Sequence, residues 1–322
     1  MRDVIEEMYA PQLQEFGFTP EPSNHRFGSM GLCWRLQESI GEGYYWTYGQ
    51  QNLFDIRIHD FYFHQDSLLE FQLPGLISIS WYESISGEEL SPYRRLRAGC
   101  VQSHIGSQKP CRILVHKKIP IVSIGIEVAP SYYESYLRQR YPEDSFHLLE
   151  AFQFIDQTDH FLEMVHLLKS VKDYRGDGIA AKLFYESKVS EAVSLIVNRH
   201  QPSSKPQKRR LAQSDLRHLE NVTAYIDDHY ALELPLERLS KIACMGSTKL
   251  KASFRQFHGC TVTEYIQQRR VGQAEHLLSS TDLSIGQVAQ AVGYRKASRF
   301  TELFRKNTGL LPVEYRKMAQ SR

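Results

Sequence analysis

Long apolar runs are missing from the 322-residue sequence. No stretch approaches the ~18 residues of a membrane span, and the opening MRDVIEEMYA lacks the apolar core of a signal peptide. Paired thiols are missing too. The five cysteines (Cys33, Cys100, Cys111, Cys244, Cys260) are an odd number and none sits in a C-x-x-C pair, so free thiols and a cytoplasmic location are expected. Enzyme signatures are equally scarce. There is no Ser-His-Asp elbow, no glycine-rich phosphate loop and no Cys-His arrangement, so no catalytic residues are assigned.

What is present is an ordinary globular mixture, 42% hydrophobic and 24% charged, with material for about two domains. The net charge of +2 hides an asymmetry. Residues 208–322 hold 19 lysines and arginines against 11 acids, a balance of +8, while the remainder holds 20 against 26, a balance of −6. A basic third on an acidic body suits a module that binds a polyanion.

The stretch NRHQPSSKPQKRRLAQS (198–214) has prolines, small polar residues and a basic cluster but no apolar period, and reads as an exposed linker centred on 201–214. It separates a front domain, 1–200, from a back domain, 215–322. In the front domain, residues 43–130 read as strands. In FDIRIHDFYF, Phe54, Ile56 and Ile58 alternate with Asp55, Arg57 and His59, the period of two of a half-buried strand. Several such segments predict a small antiparallel barrel or sandwich. Residues 131–200 switch to helical periods. Their last helix carries the stripe Val189, Ala192, Val193, Ile196, which serves either its own domain or a homodimer.

The back domain repeats itself. LERLSKIACMGSTKLKASFRQFHG (236–259) aligns with IGQVAQAVGYRKASRFTELFRKNTG (285–309), with Leu239 on Val288, Cys244 on Gly293, Phe254-Arg255 on Phe304-Arg305 and Gly259 on Gly309. Each copy has a helix-turn-helix layout. A short helix buries Leu236, Leu239 and Ala243, or Ile285, Val288 and Val292. A small residue turns the chain, where Gly293 takes a positive φ without penalty. Ser247 is placed to cap the second helix. That helix buries Leu250, Phe254 and Phe257, or Phe300 and Phe304, and presents a polar, basic face. Such a helix fits the major groove of B-DNA, and a joining helix over 261–281 sets the spacing of the two copies at about 34 Å, one turn of duplex. Gly272 inside the joining helix has no evident purpose.

These residues resemble the AraC/XylS family of transcriptional regulators over about 215–318. The resemblance rests on the connecting pattern Tyr265, Arg270, Ala274, Leu277-Leu278, on LSIGQVAQAVGY, on Ser298, Phe300, Phe304, Arg305 and Lys306, and on Gly309-x-x-Pro312-x-x-Tyr315-Arg316. It implies an α+β chain: an N-terminal antiparallel cupin-like barrel with flanking helices, then an all-α domain of two helix-turn-helix motifs joined by a connecting helix. It also implies double-stranded promoter DNA and RNA polymerase as partners, frequent homodimers, and usually activation. By position, base reading falls on Thr248, Lys251 and Ala252 in the first unit and on Ser298, Arg299 and Glu302 in the second. Lys249, Arg255, Lys296, Arg305 and Lys306 are phosphate candidates. In two places the chain departs from the family: Ala252 stands where an arginine is frequent, and Leu311 replaces the serine that would cap the helix starting at Pro312.

A cupin-like barrel can be an enzyme, so its histidines matter. His59, His64, His104 and His116 lie in the strand region, but the H-x-H pair and downstream glutamate of a metal cupin are absent. His59 and His64 are five apart and face opposite sides of a strand. No metal and no cofactor are expected. For a small-molecule effector the aromatic-rich strands offer Trp46, Arg57, Trp81 and Tyr82. Three readings follow: a regulator controlled by an effector in the front domain, a regulator with no small ligand that answers to a protein partner or to abundance, and a cupin enzyme with a DNA-binding tail.

Overall fold

The computed structural model describes residues 9–50, 52–71, 75–90, 93–106, 110–142, 147–155, 161–200, 211–258 and 260–321. It divides into two compact units, Met1–Pro202 and Ser203–Arg322. Residues 201–210 of the proposed linker, and Gly259, lie outside the described residues.

The first unit is built from antiparallel strands. Helix α1 (Ala10–Glu15) precedes β1 (Phe18–Pro20), β2 (Leu32–Leu36), β3 (Gly41–Gln50), β4 (Phe54–Phe63) and β5 (Ser67–Phe71). Then come β6 (Ile77–Ser84), β7 (Gly87–Leu90), β8 (Tyr93–Arg95), β9 (Val101–Ile105), β10 (Cys111–Val115) and β11 (Ile121–Val128). They form a seven-stranded sheet, β1-β2-β3-β4-β11-β6-β9, and a four-stranded sheet, β5-β10-β7-β8. Strands therefore begin before residue 43. Their two extra members are short, and β1 spans only three residues, too few for a period to show.

Alternation along the central strands decides which face meets what. On β3, β4, β6 and β11, one face carries Trp46, Tyr48, Ile56, Ile58, Ile77, Ile79, Trp81, Ile124 and Ile126, all in one buried cluster with helical residues such as Phe152, Leu168 and Tyr185. Those residues come from α3 (Leu148–Ile155), α4 (Leu162–Asp173) and α5 (Gly178–Arg199), after a π-helical turn (Ser131–Tyr136) and α2 (Leu137–Arg140). Each large apolar side chain buried here contributes roughly 1.5–3 kcal/mol. The stripe Val189, Ala192, Val193, Ile196 points into this layer and is 7% exposed at most. It packs the domain's own core, because that core needs a lid over the sheet, and is spent before a homodimer could use it. The other face of the large sheet looks toward the small sheet. Tyr45, Phe61 and Phe63 meet Leu69, Ile113 and Val115 across the barrel, with Leu13 of α1 in the same cluster.

The second unit is all helix: α6 (Gln213–His229), α7 (Leu236–Ile242), α8 (Ser247–His258), α9 (Val262–Ser280), α10 (Ile285–Ala291), α11 (Ala297–Thr308) and α12 (Pro312–Gln320). Reciprocal caps start two of them, Thr261 with Glu264 on α9 and Ser284 with Gln287 on α10. On α12 the Leu311 side chain makes no cap bond, and Glu314 Oε2 instead accepts the Leu311 N–H at 2.7 Å.

Candidate nucleic-acid interface and barrel cavity

The two helix-turn-helix units close with the same hydrogen-bond pattern. After α7, Met245 N–H donates to Ser240 O at 3.1 Å and Cys244 N–H to Lys241 O at 3.1 Å. After α10, Tyr294 N–H donates to Ala289 O at 2.8 Å and Gly293 N–H to Gln290 O at 3.0 Å. Both are Schellman closures, which put the residue after the cap in the left-handed region. Gly293 sits there at φ +87°, and Cys244 is forced there at φ +50°. The turn alignment of Cys244 with Gly293 is thus a backbone alignment.

Beyond each turn the apolar side of the second helix is buried: Leu250 and Phe254 in α8, Phe300 and Phe304 in α11. Phe257 differs, remaining 38% exposed, since it lies at the end of α8 beyond the packed stripe. Ser247 is the first residue of α8, and its Oγ is 3.1 Å from Ser240 Oγ. On the outward faces, Thr248, Lys251 and Ala252 are exposed on α8, and Ser298, Arg299 and Glu302 on α11. Lys249, Arg255, Lys296, Arg305 and Lys306 are exposed beside them. Three of these side chains are held by ion pairs. Arg299 pairs with Glu302 at 2.8 Å, and Lys249 reaches Asp215 Oδ1 of α6 at 2.8 Å. Exposed pairs of this kind add about 0–1 kcal/mol, so they orient side chains more than they stabilise the fold.

The connecting helix does more than its sequence pattern reveals. Arg270 of α9 donates from Nε to Tyr230 O (2.7 Å), from one terminal nitrogen to Leu232 O (2.9 Å) and from the other to Gly293 O (3.2 Å). Its guanidinium also lies 5.2 Å from the Tyr294 ring centroid. One side chain thereby ties the segment after α6 to the turn of the second unit. Tyr265 donates to Asp227 Oδ1 at 3.1 Å, and Arg269 pairs with the same oxygen at 2.7 Å, fixing α9 against α6. The sequence signal for Arg270 was its place in the family pattern; its carbonyl partners are far away in sequence and invisible to spacing.

In the first unit, the barrel holds a partly open cavity of about 160 Å³. Aromatic and aliphatic residues line much of it, including Phe16, Phe18, Phe61 and Phe71, but so do Arg57, His59, Ser80, Tyr82, Glu89 and Glu127. The face of β4 with Asp55, Arg57 and His59 therefore turns inward, while its apolar alternates face the helices. Arg57 pairs with Glu127 at 3.0 Å and lies 3.7 Å from Asp55, and Thr47 donates to Asp55 at 2.6 Å. Glu127 is 1% exposed, and despite the ion pair neither of its oxygens receives an aligned hydrogen bond. Burial pushes its carboxyl up to about 8. His59 bonds Ser123 through Nδ1 at 3.0 Å, leaves Nε2 unpartnered, and is pushed down to about 3 by burial and then by Arg57.

Of the effector candidates, Arg57 and Tyr82 line this cavity. Trp46 and Trp81 lie on the opposite face. Trp46 donates to Met30 O at 2.9 Å, and Trp81 has the Lys169 ammonium 4.6 Å from its ring centroid. The histidines do not assemble: His64 meets Glu38 O at 3.0 Å, and His116 sits between Ser86 and Glu88. Among the described residues, no helix is long and apolar enough to cross a membrane.

Comparison with known proteins adds to this geometry. A family described as a helix-turn-helix domain matches residues 239–318. The bifunctional transcriptional activator/DNA repair enzyme AdaA of Bacillus subtilis is 38% identical over 117 residues, 36% of this chain and 54% of that protein. The HTH-type transcriptional regulator ExsA of Pseudomonas aeruginosa is 32% identical over 107 residues, 33% of this chain and 38% of that protein. Among solved structures, the DNA-binding domain of AdpA in complex with a target DNA is 30% identical. That match covers 30% of this chain and 88% of that one, with a TM-score of 0.30. The chain thus spans about half or less of the curated relatives it matches, and those matches are about the size of the helical unit.

Proposed function

The C-terminal domain belongs to the AraC/XylS family, and on that premise we propose that the chain is a transcriptional regulator that reads double-stranded promoter DNA with α8 and α11 and answers to a small effector held in the barrel. The single observation that carries the DNA reading is the pair of matched turns. Each presents an exposed, basic second helix whose other side is locked into the core. Thr248, Lys251 and Ala252 on α8, and Ser298, Arg299 and Glu302 on α11, are the base-edge set. The flanking lysines and arginines neutralise phosphates. Tethering by Arg270 keeps the two units in fixed register, as a protein that reads two successive grooves requires. The action proposed is activation, through contact with RNA polymerase, in keeping with the name of the AdaA relative.

The effector half rests on the barrel's inverted polarity. A cavity whose wall includes Arg57, His59, Tyr82 and Glu127, while the outside of the same sheet is apolar, has the mixture of apolar wall and few polar groups that holds a small molecule. Its volume, about 160 Å³, is that of a compartment for a ring-sized compound. No catalytic step is assigned to it.

Selection of binding sites from random duplex, followed by footprinting with full-length protein, tests the DNA reading. Protection of two patches about one helical turn apart on one side of the duplex is expected. Equal affinity for selected and random duplex at moderate salt would remove it.

A further inference from the structure

Beyond Arg57 and Glu127, the cavity wall carries a second polar cluster that the DNA reading does not use. Glu89 on β7, His104 on β9 and Cys111 on β10 each bring one ligand-type atom within 4.8 Å of the others. They come from both sheets. β9 is the edge strand of the seven-stranded sheet, whereas β7 and β10 are neighbours in the four-stranded one. Glu89 and Cys111 are buried, and all three residues line the cavity.

Local bonding gives two of the members a direction. Glu89 accepts the Arg94 Nε–H on Oε2, while its Oε1 faces the Cys111 Sγ at 3.9 Å. One carboxylate oxygen is therefore fixed by a guanidinium and the other is aimed at the thiol, with a ring nitrogen of His104 within 4.8 Å of the thiol and of a Glu89 carboxylate oxygen. Ligating carboxylates are held by an outer partner in this manner. The mixture of thiol, imidazole and carboxylate sorts the ions. Magnesium and calcium take oxygen cages, and the sulfur argues against both, whereas zinc-class ions accept all three donors.

We propose that Glu89, His104 and Cys111 form a three-ligand site for one divalent ion of the zinc class inside the barrel, with its fourth coordination position open to the cavity. The proposal rests on reading the cavity as the effector compartment and deepens it. Three protein ligands and one open position are the arrangement that accepts a water or an exogenous donor. The bond formed is sulfur to metal; the bond broken is the thiol S–H, whose proton leaves to solvent, and nothing is oxidised or reduced. The two negative charges of thiolate and carboxylate balance the ion, and Arg94 keeps the second carboxylate oxygen. An effector with an oxygen, nitrogen or sulfur donor would then bind the ion at one end and the apolar wall of Phe61 and Phe71 at the other.

Titration of chelator-stripped, full-length protein with cobalt(II), then zinc(II), is the test. The expected result is uptake of about one equivalent of cobalt with a thiolate-to-cobalt charge-transfer band and tetrahedral visible bands, both removed by about one equivalent of zinc. Cys111→Ser should abolish the charge-transfer band. His104→Gln, at a less buried position and so a safer variant for folding, should weaken uptake by about a hundredfold or more, since even the loss of an outer partner costs 10–100-fold. Circular dichroism of both variants separates misfolding from ligand loss. No stoichiometric uptake at micromolar free metal by wild type would overturn the site, as would a band that persists in Cys111→Ser. Failure of DNA recognition would appear separately, as absent site preference in protein that still takes up the ion.

Discussion

Gly293→Ala and Cys244→Gly together test whether the two helix-turn-helix turns are one structure built twice. Both positions lie in the left-handed region, at φ +87° and +50°. A side chain there costs about 1–2 kcal/mol. Cys244 carries that strain in the native protein, and its thiol is exposed. Gly293 avoids it, but alanine would meet a second obstacle. A Cβ at Gly293 would lie 2.4 Å from Ala231 O, a backbone atom. Ala231 cannot drift away easily, because Arg270 holds the carbonyls on either side of it, Tyr230 O and Leu232 O. The same guanidinium holds Gly293 O. The clash must therefore be relieved by loosening the Arg270 tie, at a cost comparable to the backbone strain.

The sum for Gly293→Ala is about 2 kcal/mol of destabilisation, after subtracting the ~0.4–1 kcal/mol that alanine returns by restricting the unfolded chain. For Cys244→Gly the released strain and the added unfolded-state entropy nearly cancel, leaving a gain of about 0.5 kcal/mol. Urea unfolding of the full-length variants, followed by far-UV circular dichroism for the helical transition, reads both numbers. Thermal unfolding should show roughly 10 °C or more of loss for Gly293→Ala and little change for Cys244→Gly. If Gly293→Ala stays within about 0.5 kcal/mol of wild type, the argument that Ala231 is pinned fails. If Cys244→Gly destabilises by a kilocalorie or more, the left-handed strain at that turn is not present.

Other perturbations follow from the same contacts. Arg270→Ala removes three donors from carbonyl oxygens and should lower helical-domain stability by about 2–4 kcal/mol in the same urea assay; a loss under ~1 kcal/mol would mean water replaces the guanidinium without penalty. Arg299→Ala should cost about 1–3 kcal/mol at a selected site and relax preference at one base position in competition binding, whereas uniform weakening with a shallower salt slope would make it a phosphate contact. Glu127→Gln should alter the pH profile of stability. Burial raises the native carboxyl to about 8 from an ordinary value of 4.5, so the fold holds a proton that the unfolded chain releases, and stability should fall as pH rises from about 4.5 to 8. His59, lowered to about 3 from 6.5, works in the opposite sense below 6.5, so the Glu127 effect is isolated between 6.5 and 8. Denaturation midpoints measured across that window should decline in wild type and flatten in Glu127→Gln, and identical slopes would refute the assignment.

How much of this was legible in the sequence depends on the range of the forces involved. The helix-turn-helix units were readable because a 3.6-residue period, a positive-φ glycine and a matched Phe-Arg are all local, and Gly293 and Phe304 stand where local rules put them. Arg270 was legible only as a letter in a pattern, since its three carbonyl partners are set by tertiary packing. In the barrel, the alternation of Phe54, Ile56 and Ile58 with Asp55, Arg57 and His59 gave two faces but not their destinations. A period of two separates apolar from polar; it does not say which side meets water. Helices α3, α4 and α5 cover the apolar face, so the polar face closes inward on the small sheet. Trp46 and Trp81 were drawn as pocket candidates by aromatic character, yet they share the apolar face with Ile56 and Ile79 and pack under the helices. Glu127 gave no local signal at all, being one acid in IVSIGIEV. Its meaning comes from standing opposite Asp55 in the β4–β11 register, with Arg57 two residues further along β4 on the same face. Polar residues on the concealed face of a sheet raise a desolvation cost that packing alone does not return. That cost is the physical reason to look for the effector among Arg57, His59, Tyr82 and Glu127 rather than among the tryptophans.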